Sequence, residues 1–215
     1  MKVTVLLENT SMYSKYLNSE HGFSAWIEDE DMKILLDCGY SDKFIKNAEA
    51  LGIDLLQADY VVLSHGHWDH TGGLKHLIKY YRDHAMARKP ILLFTSEDIF
   101  LKRYEFNWNT QVGLDVSREI MDQWFDVRVT PEPLWLTKNL CFMGLTERTN
   151  DFEHIHPQTS QQLRDGKWCD DVVDEDTQLA YRHKNGEQVS IVATCAHYGI
   201  CNIMEYAKKL TGATS

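Results

Sequence analysis

The stretch from Ser64 to Leu74, SHGHWDHTGGL, constrains this chain more than any other. It places His65, His67, Asp69 and His70 within six residues, after the apolar run Tyr60, Val61, Val62, Leu63 and before a segment with helical spacing. That order predicts a strand end, a donor-rich loop and a helix start. Alternate residues on an extended backbone face the same way, so His65 and His67 can share one cation. The turn into the helix aims Asp69 and His70 at a point beside it, and two metal positions about 3.5 to 4 Å apart fit this pattern. Imidazole with one carboxylate suits zinc best, with iron or manganese as the other candidates.

The remaining totals bound the class of protein. With 215 residues, 43% of them apolar, the chain can bury a core without disulfides or a structural metal as staples, and one domain over 1–215 is expected. A formal net charge of −10 argues against a nucleic-acid surface, which needs a basic face. It leaves room for a small anionic substrate, because bound metal dominates the field inside a cleft. The five cysteines, Cys38, Cys141, Cys169, Cys195 and Cys201, form no C-x-x-C pair and read as thiols of a reducing compartment. The N-terminal MKVTVLLENT is a first strand, too short for a secretory signal, and no apolar run reaches membrane-span length. A soluble cytoplasmic protein is expected.

Along the chain, Val3 to Leu7 reads as a buried strand, and Ser24 to Glu28 with Lys33 to Cys38 as a pair joined by the acidic turn Glu28 to Asp31. Asp37 is either a turn carboxylate or a group that orients a metal-bound His. Ser41 caps a helix over Asp42 to Leu51 that Gly52 stops, and Leu74, Leu77, Ile78 and Tyr81 give the helix after the metal loop an apolar face. Ile91 to Phe94 is another strand. The aromatic-rich stretch 97–130 is either a substrate lid or a helix packed by its aromatics. From Leu134 onward the pattern turns to hairpins, Leu134 to Leu136 with Leu140 to Met143 and Gln178 to His183 with Gln188 to Thr194, the latter around the turn dipeptide Asn185-Gly186. These form a second sheet. The acidic Asp170 to Asp176 reads as a solvated turn, and His154 and His156 as loop residues. The strand Val189 to Thr194 then runs into His197 and an amphipathic helix from Gly199 to Leu210, repeating the strand, His, helix order of the metal loop.

SHGHWDHTGGL resembles the motif of the metallo-β-lactamase superfamily of metal-dependent hydrolases. Together with ENT (8–10), EHGFS (20–24) and ILLDCG (34–39), it is similar to one branch of that family, which includes a dihydropterin-condensing enzyme of pterin cofactor biosynthesis. The likeness continues through GLTERTNDFE (144–153), DEDTQLAY (174–181) and CAHYGICNIMEYAKKLTG (195–212). It implies an α/β (α+β) fold, an αββα sandwich of two mixed sheets flanked by helices and shortened at the C-terminus. It also implies His197 as the third imidazole on the cation held by His65 and His67. Asp69 and His70 serve the second position, and Glu147 with Arg148 matches a family pair that can fork onto a phosphate or carboxylate, the alternative being a surface ion pair. Relatives carry a His-Pro where this chain reads Thr95-Ser96. Longer relatives also continue past the last helix to a further His, whereas here Gly212 caps the helix and the sequence ends at Ser215. The first zinc position is therefore expected to be well occupied and the second weak or absent.

The resulting expectation is a zinc hydrolase acting on an ester, phosphoester or similar small molecule, with Asp69 and His197 in the catalytic set. A dihydropterin-diphosphate transferase and a non-catalytic metal-binding paralogue are the alternatives. A homodimer would cover an edge left by a missing last strand.

Overall fold

The computed structural model describes residues 1–11, 16–153 and 159–215. Its elements begin with β1 (Lys2–Leu7), β2 (Ser24–Asp29), β3 (Met32–Leu36), α1 (Lys43–Ala50), β4 (Tyr60–Val62), α2 (Trp68–Thr71), α3 (Leu74–Asp83) and β5 (Ile91–Phe94). There follow β6 (Arg103–Glu105), β7 (Thr110–Gln111), α4 (Arg118–Trp124), β8 (Asp126–Val129), β9 (Leu134–Trp135) and β10 (Leu140–Phe142). The chain continues through β11 (Gln161–Arg164), β12 (Lys167–Asp170), β13 (Leu179–Arg182), β14 (Val189–Val192) and α5 (Ile200–Thr211).

Six strands form a mixed sheet in the order β1-β2-β3-β4-β5-β8, antiparallel from β1 to β3 and parallel from β3 onward. The central strands are apolar on both faces, and their two-residue period divides the core. Leu35, Val61 and Leu92 face the cluster that holds Phe44 of α1, Leu74, Leu77 and Tyr81 of α3, and Met121 of α4. Ile34, Leu36, Val62 and Leu93 meet Leu140, Phe142, Leu179 and Tyr181 of the second sheet. That sheet, β14-β13-β10-β9, is antiparallel throughout, and its other face packs Met143 and Ala180 against Ile203, Tyr206 and Ala207 of α5. The layers therefore run helix, sheet, sheet, helix, as expected.

Three local expectations are revised. β1 is a half-exposed edge strand, with Val3 and Val5 open to solvent and only Leu6 and Leu7 buried, because it pairs on one side alone. The second sheet is not mixed. A third sheet, β12-β11-β6-β7, arises from residues 103–111 and 161–170. Within 97–130, Ile99, Met121 and Phe125 join the core, while Phe106 and Trp108 stay exposed.

The parallel strands bring their carboxyl ends together, the usual place for a site in such sheets. Asp37 follows β3, His65 follows β4 and Thr95 follows β5. The metal loop then passes so close to the β3 end that a Cβ on Gly73 would lie 2.0 Å from the Cys38 carbonyl oxygen and 2.8 Å from the Phe44 ring. Gly73→Ala is expected to destabilise the protein by about 1–3 kcal/mol through overpacking. Urea unfolding checks this, and an unchanged midpoint would contradict it.

Candidate metal centre

His65 leaves the end of β4, and His67, extended at φ −70°, ψ 145°, is the residue that caps α2. His197 arrives from the far sheet between β14 and α5. The start of α5 is pinned by Glu153, whose two carboxylate oxygens accept from the backbone N–H of Cys201 and of Asn202, each at 2.8 Å. The His197 N–H donates to Asp176 Oδ2 at 2.8 Å. These contacts bring three imidazoles together across more than a hundred residues. His65 Nε2 lies 3.2 Å from His67 Nδ1 and 3.4 Å from His197 Nε2.

The other nitrogens of two of these rings are held by the protein, which is how metal-binding imidazoles are oriented. His65 Nδ1 lies 2.9 Å from Ser64 Oγ, with Asp176 Oδ1 at 3.9 Å. His67 Nε2 meets Asp171 Oδ2 at 2.9 Å, leaving Nδ1 to face the cluster. Burial and the neighbouring imidazoles of His70, His67 and His197 hold His65 well below the usual His range, and burial with His67 and His70 lowers His197 to about 3. Both rings are thus neutral lone-pair donors at pH 7. Three imidazoles in contact form a donor set that fits a divalent cation with open coordination.

Asp37 orients a fourth ring. Its carboxylate accepts from Ser64 N–H at 2.8 Å and Ser64 Oγ at 2.7 Å, and Oδ2 lies 2.6 Å from His70 Nδ1. Burial works against a charged His70, but Asp37 outweighs it and raises the imidazole well above its ordinary value. Asp37 is therefore not a plain turn carboxylate. It adopts φ +54°, and Ala196 beside His197 adopts φ +56°, so two non-glycine residues in left-handed conformations flank the cluster. Such backbone costs about 1–3 kcal/mol and persists where surrounding contacts over-determine it. Asp37→Asn is expected to lower metal affinity about 10- to 100-fold, as loss of an orienting partner generally does, in a chelator competition assay. An unchanged affinity would show that His70 is oriented without it.

Asp69 and His70 lie beside the trio. The rings of His65 and His70 are 4.3 Å apart, and Asp69 Oδ2 is 3.5 Å from His70 Nε2. Asp69 Oδ2 also meets His21 Nε2 at 3.2 Å. His21 reaches it because Gly22, at φ +126°, has no Cβ to strike the Asp69 carbonyl oxygen, which would lie 2.1 Å away. His67, Asp69 and His197 line one cleft with Glu105, Trp108 and Cys195.

Most of the segment expected to be a solvated acidic turn is instead buried under the site, with Asp170 and Asp174 exposed. Asp171, Glu175 and Asp176 are at most 2% exposed. Arg103, fully buried on β6, donates to Asp171 Oδ1 at 3.1 Å and to Glu175 Oε1 at 2.5 Å, and Glu175 Oε1 also accepts from Gly66 N–H in the metal loop at 3.0 Å. Burial opposes charge on Asp171, yet the His67 hydrogen bond and Arg103 hold it well below the usual carboxylate range. Asp176, buried beside Glu175, is pushed up to about 8. Thr95 donates its hydroxyl to the Glu175 carbonyl.

Glu147 lies outside the cluster, exposed and paired with Lys209 of α5 at 2.6 Å. Arg148 turns inward, stacking 4.3 Å above the Tyr198 ring, and its Nη1 and Nη2 are buried without a hydrogen-bond partner. His154 and His156 lie outside the described residues. Sequence reasoning missed Arg103, Asp171, Glu175, Asp176, Cys195 and His21, for which EHGFS was the only local signal.

A family model described as the metallo-beta-lactamase superfamily matches residues 18–136, more than half of the chain. The chain belongs to that superfamily. An uncharacterized protein of Methanocaldococcus jannaschii is 30% identical over 210 residues, covering 97% of this chain and 75% of the relative. The 7,8-dihydropterin-6-methyl-4-(beta-D-ribofuranosyl)-aminobenzene-5'-phosphate synthase of the same organism is 26% identical over 223 residues, covering 99% and 73%. The crystal structure of Tm1679, a metal-dependent hydrolase of the beta-lactamase superfamily, superposes with a TM-score of 0.74 at 26% identity, covering 96% of this chain and 70% of that one. The superfamily's fold and its His-rich centre are thus present together. Among the described residues, no helix is long and apolar enough to cross a membrane.

Proposed function

We propose that this chain is a metal-dependent hydrolase of small ester or phosphoester substrates, with zinc held by His65, His67 and His197. The observation that carries the proposal is the convergence of His65, His67 and His197 from two sheets, with a ring nitrogen of each within 4.8 Å of the others. Zinc in such a three-His setting supplies water acidified toward about pH 7 and an electrophile for the substrate oxygen.

The chain's own groups do the rest. Asp69 lines the same cleft as His67 and His197 and is placed to orient the attacking water and take its proton. Asp171 and Ser64 keep the His67 and His65 rings in one orientation, so no reorganisation is needed during turnover. Arg148 carries two buried guanidinium nitrogens without a partner, an arrangement that an anionic substrate group would satisfy. Turnover of ester and phosphodiester probes that is lost on chelation and restored by zinc supports the proposal. Turnover indifferent to chelation would end it.

The 26% identity to the dihydropterin synthase across 99% of the chain favours one second reading, condensation with loss of diphosphate. Tight binding of a dihydropterin diphosphate, with no hydrolysis of the probes, would select it.

A further inference from the structure

Resting on the proposed hydrolysis at the three-His cluster, we infer that the substrate carries a planar aromatic group and that Trp108 selects it, stacking on that ring while the scissile bond lies at the imidazoles. Trp108 lines the same cleft as His67 and His197. With Trp68 and Val112 it makes up the apolar part of a lining otherwise built of imidazoles, carboxylates, hydroxyls and one thiol. At 69% exposure it is the most open of the six tryptophans. Its aromatic neighbours are engaged elsewhere, Phe106 packing edge-on against Tyr104 at 4.9 Å and against Trp168 at 5.4 Å between ring centroids. Among the described residues Trp108 belongs to no ring pair, so its indole face is left for a ligand.

The hairpin that carries Trp108 holds it in place. In the turn between β6 and β7, Asn107 N–H donates to Glu105 Oε1 at 2.9 Å and Asn109 N–H to the Phe106 carbonyl at 3.3 Å. Tyr104 Oη donates to Asn109 Oδ1 at 2.6 Å, with Asn109 at φ +50°. At the root, Val112 N–H donates to the Arg103 carbonyl at 3.0 Å, and the Val112 carbonyl accepts from Trp68 N–H in the metal loop at 2.9 Å. Hairpin and metal loop therefore keep one position relative to each other, and a side chain fixed before binding loses little freedom when a ligand arrives. An indole offers a flat π-face on which a ring gains stacking beyond the area it buries, whereas an alkyl chain gains the area alone. The stretch 97–130 accordingly supplies both core, through Ile99, Met121 and Phe125, and a substrate-facing residue, through Trp108.

Calorimetric titration of the zinc-loaded full chain with naphthylphosphonate and with butylphosphonate tests this, alongside zinc-dependent turnover of the ester probes. The wild type is expected to bind the naphthyl compound more tightly. Trp108→Ala is expected to weaken the naphthylphosphonate about fivefold or more and to leave the butylphosphonate within about twofold, since loss of a stacking partner acts on the ring alone. Trp108→Phe, which keeps a flat ring, retains most of the preference, and Trp168→Ala, outside the cleft lining, retains all of it. Zinc held by Trp108→Ala at the wild-type stoichiometry shows that the variant is folded. Equal affinities in the wild type, an equal loss of both compounds or of neither in Trp108→Ala, or no binding of either compound overturns the inference, and zinc-dependent turnover that persists in that case leaves the hydrolase reading standing. Ring-selective binding that depends on Trp108, in a chain with no zinc-dependent turnover, supports the aromatic subsite and sinks the hydrolase reading.

Discussion

His65→Ala and His197→Ala are each expected to abolish bound metal at the first position and to reduce probe turnover at least about a thousandfold. Lewis-acid stabilisation is worth several kcal/mol and each 1.4 kcal/mol or so is a factor of ten, which sets that scale. Both residues carry the same expectation although they lie on different sheets, because His65 Nε2 is the atom that meets His67 Nδ1 and His197 Nε2 alike. Replacing His197 leaves its backbone N–H on Asp176, so the loop stays anchored and the loss reads as a missing donor. Steady-state kinetics with metal analysis of each variant checks this. Full turnover in either one would contradict the assignment.

Arg103→Met is expected to cost about 3–5 kcal/mol of stability. The side chain is fully buried, and removing it strands the carboxylates of Asp171 and Glu175 without their cation. The cost comes from the uncompensated buried charges, so neutralising them with Asp171→Asn and Glu175→Gln should return part of the loss. Metal affinity does not recover with it, because Asp171 also holds His67 Nε2. Denaturant unfolding of the single and triple variants, with metal affinity measured alongside, separates the two effects. A loss under about 1 kcal/mol in Arg103→Met would mean the network is solvated.

What was legible in the sequence was local. His65, His67, Asp69 and His70 share one loop, and the apolar runs of β3, β4 and β5 sit beside it, so spacing and hydrophobicity sufficed. His197 was reachable because its strand, His, helix order copies that of the first loop. Asp171, Glu175 and Asp176 looked like a solvated acidic run because nothing nearby in sequence offers a partner. The cation of Asp171 and Glu175 is Arg103, more than sixty residues earlier, on a third sheet assembled from two distant hairpin segments, and Asp176 accepts from the backbone of His197. Cys195 is two residues before a recognised donor, yet no spacing rule ties a cysteine there to His70, 125 positions earlier. The exposure of β1 follows from its place at the sheet edge, which its composition does not encode.

Anomalous diffraction at the zinc absorption edge, from crystals grown with zinc, addresses the shared cation of the two sheets. A peak is predicted about 2.0–2.1 Å from each of His65 Nε2, His67 Nδ1 and His197 Nε2. A cleft with no peak at saturating zinc, or an ion held without His197, would contradict it.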